Sequence, residues 1–539
     1  MGINYKNEPF QFRKGDPAYV FSSYVHGDPV TPILETYEGD PIRIRLFDGA
    51  HEEQHSFNLH GLRWRKEPTD AVSPLVQSQT LGISEAFNIE INDDYKKGDY
   101  LYYFGGLDDL WLGLWGILRV HKEGIPHLLP LEDRPLPINR TIPLPAKTDN
   151  PPPKAKCSGH PAPNDANTRK YHIVAIQKDI VYNRFGDHDP NGLMFVLQHE
   201  EKAVLNGTTE PKPLIIRANA GDCVEITLTN HIFKPIADDK HPEVPVDVPY
   251  PPSNRVSLHA QLLKYDVLGS DGATVGFNPD QTIAPGESII YRWYADLELG
   301  TCMLTGFGDI RNHRHHGLFG AIIVEPTGSK YLDCRTSKEV TSGFLDQVVI
   351  STPGVPDFRE FVVFMQNGIS LYDKDNNPIP DPADEDHDMA RLDFEDQGQK
   401  GINYRSERFY NRLKEDPRVH LVMSSVIHGD PATPVFNSYP GDPIKIRLLM
   451  PADKPRNHCF VLHGHSWKAQ YNDPFSNIIS VQGAISIGNV FNISLENGAN
   501  QNPGDYAYRS GILRWDIELG MWGIFRIFDR IYSGLKIIN

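Results

Sequence analysis

The 539-residue chain has a formal charge of −17, and that acidic balance argues against nucleic acid or an anionic membrane as its main partner. Its length leaves room for three or four domains with full cores, and it contains no run of about 18 apolar residues that would span a membrane. Five widely spaced cysteines are no disulfide framework and MGINYKNEPF has no apolar signal core, so a reducing, cytoplasmic compartment is expected.

Gly and Pro number 44 each, which suits short strands joined by turns. Along the first 126 residues the landmarks are His26-Gly27-Asp28-Pro29-Val30-Thr31-Pro32 and then Tyr37-Glu38-Gly39-Asp40-Pro41-Ile42-Arg43-Ile44-Arg45-Leu46. Gly-Asp makes a turn, and the alternation of period two that follows predicts a strand with one buried face. Leu59-His60-Gly61, Gly98-Asp99-Tyr100 and Gly113-Leu114-Trp115-Gly116 come next, with His51 and His55 placed in a loop before the second strand. Trp115 reads as a packing residue at a barrel end, and Asp109 as a loop carboxylate open to solvent.

Residues 127–165, rich in Pro and charge, read as a linker. The unit at 166–327 repeats the order more loosely: Ala220-Gly221-Asp222-Cys223-Val224-Glu225-Ile226, Leu258-His259-Ala260, Gly300-Thr301-Cys302 and Gly317-Leu318-Phe319-Gly320. A second linker spans 328–357.

The unit at 358–539 repeats the first closely. His428-Gly429-Asp430-Pro431-Ala432-Thr433-Pro434 precedes Tyr439-Pro440-Gly441-Asp442-Pro443-Ile444-Lys445-Ile446-Arg447-Leu448, and Leu462-His463-Gly464, Gly504-Asp505-Tyr506 and Gly520-Met521-Trp522-Gly523 follow. Trp522 is read like Trp115, and Asp516 and Glu518 like Asp109. The acidic stretch 381–399 reads as an exposed loop. Three copies of several short strands predict an all-β protein of three tandem Greek-key barrels or sandwiches.

One asymmetry stands out. The third unit has a strand at Arg359-Glu360-Phe361-Val362-Val363-Phe364-Met365-Gln366, ahead of Gly401-Ile402-Asn403-Tyr404. The first unit begins at the matching Gly2-Ile3-Asn4-Tyr5, so its opening strand is missing and a strand edge is left open. Another protein subunit is expected to supply it.

At these landmarks the chain resembles the multicopper oxidases, in particular the large bacterial multidomain branch organised like ceruloplasmin. The stretches that carry the resemblance are Val256-Ser257-Leu258-His259-Ala260-Gln261, His313-Arg314-His315-His316-Gly317-Leu318-Phe319-Gly320 and His458-Cys459-Phe460-Val461-Leu462-His463-Gly464-His465. The resemblance implies cupredoxin-like domains, a type 1 copper held by a cysteine and histidines, and a trinuclear copper cluster held by His-x-His pairs that reduces dioxygen. Imidazole and thiolate suit copper in both redox states.

Matched residue by residue, the family's ligand positions are mostly substituted. In the second unit one pair falls on His259 and Gln261 and the other on Thr305 and Phe307, with His313 and His316 in a His-rich turn that some relatives keep. In the third unit a His-x-x-His-x-His set falls on His458, Val461 and His463, with His465 outside it, and the decisive His-Cys-His falls on Arg509, Ser510 and Gly511. The first unit has Asn58 and His60 at one pair and Tyr103 and Gly105 at the other.

Copper is therefore expected at zero or one ion, not as a four-copper set. His259, His313 and His316 are the first candidate metal ligands, and His458 and His463 the second; the alternative is that all five are hydrogen-bonded core or surface histidines. Two functions stay open. One is a non-catalytic or structural subunit of a larger, split oxidase assembly. The other is a copper-dependent oxidoreductase with a reduced copper set, one ion lying in the second unit or at a subunit interface.

Overall fold

Strand placement follows the Gly-Asp turns. The computed structural model describes residues 2–49, 54–105, 107–139, 146–148, 150–156, 159, 161–236, 251–380, 398–452 and 457–538. His51, and all but the last two residues of the acidic stretch 381–399, lie outside the described residues. At each turn the glycine takes a left-handed backbone, with φ of 71° at Gly39, 92° at Gly221 and 77° at Gly441, which a side chain would oppose. The alternating strand follows directly.

In the first unit the main strands are β1 (Ile33–Tyr37), β2 (Ile42–Phe47), β3 (His55–Leu59), β4 (Ser78–Leu81), β5 (Ala86–Ile91), β6 (Gly98–Phe104) and β7 (Trp115–His121). They form a five-stranded sheet, ordered β1-β7-β6-β3-β4, and a two-stranded sheet of β2 and β5. β1 runs parallel to β7, with Ile33 opposite Ile117, and the other neighbours are antiparallel. That mixture is what a Greek-key connection produces.

The second unit comprises β8 (Thr168–Gln177), β9 (Leu193–Leu197), β10 (Leu214–Asn219), β11 (Cys223–Asn230), β12 (His259–Ala260), β13 (Ser288–Tyr294), β14 (Gly300–Thr305) and β15 (Phe319–Glu325). Its sheets are β9-β8-β11-β13 and β10-β15-β14-β12. The third comprises β16 (Lys330–Asp333), β17 (Gln347–Ser351), β18 (Phe358–Ile369), β19 (Gln399–Ile402), β20 (Val435–Ser438), β21 (Ile444–Ala452), β22 (His458–Leu462), β23 (Val481–Ile485), β24 (Val490–Ser494), β25 (Gly504–Ser510) and β26 (Trp522–Ile527). One sheet is ordered β20-β26-β25-β22-β23, the counterpart of the first unit's larger sheet. The other is β16-β17-β18-β21-β24, with β19 added to β18, so the stretch 328–357 contributes two strands to it.

Each unit is thus a sandwich of two sheets around its own core. In the first, Leu46, Phe57, Leu59, Trp64, Ile89 and Leu118 meet between the sheets; in the third, Phe361, Ile446, Leu448, Phe460, Trp467 and Phe525 do so. Each such side chain removed from water contributes about 1.5–3 kcal/mol. Trp115 and Trp522 are fully buried, and their indole N–H groups donate to the carbonyls of Glu8 and Glu407, both at 2.8 Å.

Every unit touches the other two. Asn278 donates to the carbonyl of Asp99 at 2.7 Å between the first and second. Thr301 donates to Asn492 at 2.7 Å between the second and third, and Thr80 donates to Asn489 at 2.7 Å between the first and third. A buried four-charge network also joins the second and third: Arg217 pairs with Glu360, and Arg447 pairs with Glu360 at 3.0 Å and with Glu325. Among the described residues no helix is long and apolar enough to cross a membrane.

Candidate metal centre

The junction of the first two units gathers three ligating side chains. His60 stands just past the end of β3, His259 opens β12, and Asp271 sits in the loop that follows. All three are buried, and one ligand atom from each lies within 4.8 Å of the others. His60 Nδ1 is 3.1 Å from the Asp271 carboxylate; His259 Nδ1 is 2.8 Å from the Asp271 carbonyl and 3.3 Å from its carboxylate. Tyr265 donates its hydroxyl to the same carboxylate at 2.7 Å.

Burial pushes the imidazolium of His60 down to about 4, against the pull of Asp271. Burial alone would raise the Asp271 carboxyl, but His60 and His259 together hold it well below the usual carboxylate range. Two imidazoles beside a carboxylate form a donor set that zinc or copper accepts. The Nε2 of His60 is buried without a hydrogen-bond partner, the one atom of the group that invites an ion.

The ring geometry works against it. The imidazoles of His60 and His259 stack with centroids 3.8 Å apart and planes 16° from parallel. Lone pairs of an imidazole lie in its plane, so stacked rings direct them side by side, and one ring must turn before both reach a single ion. Phe307 packs edge-on to His60 at 4.5 Å and to His259 at 5.4 Å and resists that turn.

The other expected ligands go separate ways. His313 donates through Nε2 to the Ser253 carbonyl, 2.7 Å away, and His316 pairs through Nδ1 with Asp189 at 2.8 Å. Neither joins His259 in a three-ligand group among the described residues. His458 and His463 are held apart as well. His458 bonds Asp516 at 2.7 Å, and Asp516 also accepts from Ser510. His463 Nε2 accepts from the Arg509 guanidinium at 2.9 Å, and His465 Nδ1 bonds the His463 carbonyl at 2.8 Å.

The residues that the resemblance places at a type 1 copper position do not fit a copper ion. Arg509 brings a positive charge and Ser510 a hydroxyl already given to Asp516. Cys459 faces away from His458 by strand alternation, and its sulfur fills the space beside Gly511, where a Cβ would lie 2.0 Å from it. Burial pushes its thiol up, the opposite of what a copper thiolate needs.

Two sequence expectations need correction. Asp109 and Asp516 are not open to solvent: both are fully buried, where each accepts from a histidine that opens its unit's second core strand, His55 at 2.8 Å and His458 at 2.7 Å. His55 accordingly lies at the start of β3 and not in a loop. Burial would lower His55, but the bond to Asp109 raises it overall. The signal for this repeated pair was the recurrence of a histidine ahead of the Leu-His-Gly landmark and an aspartate ahead of the Gly-x-Trp-Gly landmark, 54 residues apart in the first unit and 58 in the third.

No family model matches the sequence, and no curated protein matches it. Many solved structures are similar, among them the following two. A copper nitrite reductase from Nitrosomonas europaea aligns at 16% identity over 68% of this chain and 97% of its own, with a TM-score of 0.41. A multicopper oxidase aligns at 17% identity over 70% and 93%, with a TM-score of 0.41. The strand order described above is all-β in every unit.

Proposed function

We propose that the chain is a cupredoxin-type scaffold subunit of a larger assembly, with no type 1 copper and no oxidase activity of its own. The observation that carries this reading is the closure of the type 1 position by Arg509 on His463 and by Ser510 and His458 on Asp516. An electron-entry site needs a thiolate there, and none of these groups substitutes for it. A reducing compartment belongs to the same proposal; it is supported by Cys223, Cys302 and Cys334 being free thiols in buried positions.

A second reading has one specific support, the unpartnered Nε2 of His60 beside His259 and Asp271. In it the chain holds a single zinc or copper ion at the junction of its first two units. One experiment serves both readings. The untagged chain is reconstituted with excess copper or zinc, desalted, and assayed for metal content and visible absorption, together with His259→Asn. The expected outcome is no intense blue thiolate-to-copper band. A single ion retained by the parent chain and lost from His259→Asn would establish the junction site, and a blue copper would overturn the scaffold reading.

A further inference from the structure

The opening strand that the second and third units possess obeys a shared rule. In both it runs parallel to the strand after the Gly-Asp turn, β8 beside β11 and β18 beside β21. Arg169 stands opposite Val224 and Arg359 opposite Ile444, each two residues past the turn aspartate. Each arginine reaches back to that aspartate, Arg169 to Asp222 and Arg359 to Asp442 at 2.6 Å. Two residues on comes an aromatic ring, Tyr171 opposite Ile226 and Phe361 opposite Ile446, and after two more an aliphatic side chain, Ile173 or Val363. Arginine anchors the register and the alternating apolar residues close the core.

The first unit keeps the receiving half of this arrangement. Asp40, Ile42, Ile44 and Leu46 stand where Asp442, Ile444, Ile446 and Leu448 stand in the third. β2 pairs with β5 alone, and among the described residues no strand lies on its outer edge. Behind that edge the sheets part around a groove of about 1260 Å³, floored by Leu34, Phe57, Tyr102 and Leu118. The equivalent space in the third unit, filled by Phe361 and Val363, leaves about 10 Å³.

Two further features are poised for a strand. Asn403 and Tyr404 have left-handed backbones, φ 54° and 60°. Asn403 grips β18 from there: its Nδ2 donates to the Val362 carbonyl at 2.8 Å and its Oδ1 accepts from the Phe364 amide at 2.7 Å, while Tyr404 is fully buried. Asn4 and Tyr5 repeat the conformation at φ 50° and 63°, yet both are exposed, Tyr5 entirely. The charges agree. Arg447 bonds Asn492 at 2.7 Å and Glu360 of the opening strand at 3.0 Å. Its counterpart Arg45 bonds Asn88 at 3.1 Å and has no carboxylate partner among the described residues, while Asp40 has only Arg134, 3.8 Å away.

We infer that the groove of the first unit is a receptor for one β-strand of a second polypeptide, running parallel to β2 and carrying the pattern Arg-Glu-aromatic-x-aliphatic. The arginine meets Asp40, the glutamate meets Arg45, the aromatic ring enters the groove beside Ile44, and Asn4 closes over the strand's backbone. A second copy of this chain is a poor donor, because β18, which carries the pattern, and β8, which has Lys170 in place of the glutamate, are already central strands of their own sheets. The inference rests on the subunit reading above and names what binds there; copper content tests the scaffold reading separately.

The test uses a fluorescent peptide copying residues 357–366, Asp-Phe-Arg-Glu-Phe-Val-Val-Phe-Met-Gln, titrated into the full chain. Saturable binding is expected, with slowed hydrogen exchange at Ile42–Phe47. Asp40→Asn, at a buried side chain, and Arg45→Ala, at an exposed one, should each weaken it about tenfold, as loss of an interfacial ion pair does. A peptide with Arg359→Glu and Glu360→Arg should fail. No binding at about millimolar peptide, where even weak strand addition registers, or equal binding of the charge-swapped peptide, overturns the inference. A photocrosslinker at Ile44, used in the producing cells, should yield a peptide of another polypeptide with the stated pattern; crosslinks only to this chain overturn it.

Discussion

Protonating His60 in the folded chain means placing a cation in a dry junction where it stacks on a second imidazole, and burial holds its pKa near 4 against an ordinary 6.5. The lowered folded value makes the sign definite. Stability from this residue is complete above about pH 6.5, where the unfolded chain is also neutral, and falls as acid protonates the unfolded chain first. Between about pH 7 and pH 5 that loss is about 2 kcal/mol. Urea denaturation of metal-free protein at both values checks it: His60→Asn should flatten the pH dependence by about that amount, whatever it does to stability at neutrality. The histidine itself was legible from its place in the Leu-His-Gly landmark. Its partners were not, because Asp271 lies 211 residues away in another unit, and no local spacing connects them. Asp109 and Asp516 escaped for a related reason. A carboxylate beside a Gly-rich motif usually faces water, and only the fold shows that the turn carries it inward to His55 or His458.

At the scale of elements, period-two alternation after the Gly-Asp turns sufficed to place β2, β11 and β21, and the recurrence of landmarks placed their neighbours. Pairing across units was hidden. β18 reads as an apolar strand interrupted by Glu360, an awkward residue for a central strand. Its carboxylate turns out to lie between Arg217 of β10 and Arg447 of β21, with Glu325 of β15 on the far side. Two arginines and two glutamates balance there with no access to water. Burial would raise the Glu360 carboxyl, yet the two guanidinium groups lower it overall. Removing one charge leaves the others buried and uncompensated, so Glu360→Gln should destabilise by about 3–5 kcal/mol. Replacing an exposed pair such as Arg184 with Glu415 should cost under about 1 kcal/mol. Equal effects in denaturant melts would contradict the network's role.

The three units are built alike but not held alike. The second and third share the buried charge network, and Tyr404 of the third reaches the Gly317 carbonyl of the second and packs on Phe319. The first unit joins the second through the Arg63–Asp296 ion pair, the His60, His259 and Asp271 cluster and an apolar cluster that includes Leu101, Trp115, Val275 and Phe307, and it joins the third through Thr80 on Asn489; among the described residues its own core lacks the counterparts of Phe361 and Val363. Two absent apolar side chains, at about 1.5–3 kcal/mol each, are a large share of a domain's net stability. Scanning calorimetry of the isolated chain should therefore resolve two transitions, with the first unit melting ahead of the other two. Glu360→Gln should lower the upper transition and leave the lower in place, since the ion-pair partners of Glu360, Arg217 and Arg447, belong to the second and third units. Hydrogen exchange assigns the transitions directly: amides of Ile42–Phe47 should open at lower free energy than those of Ile444–Ala452, although the two strands share a sequence pattern. A single transition, or equal protection of the two strands, would mean that contacts between units dominate the missing strand and that the first unit is complete without it.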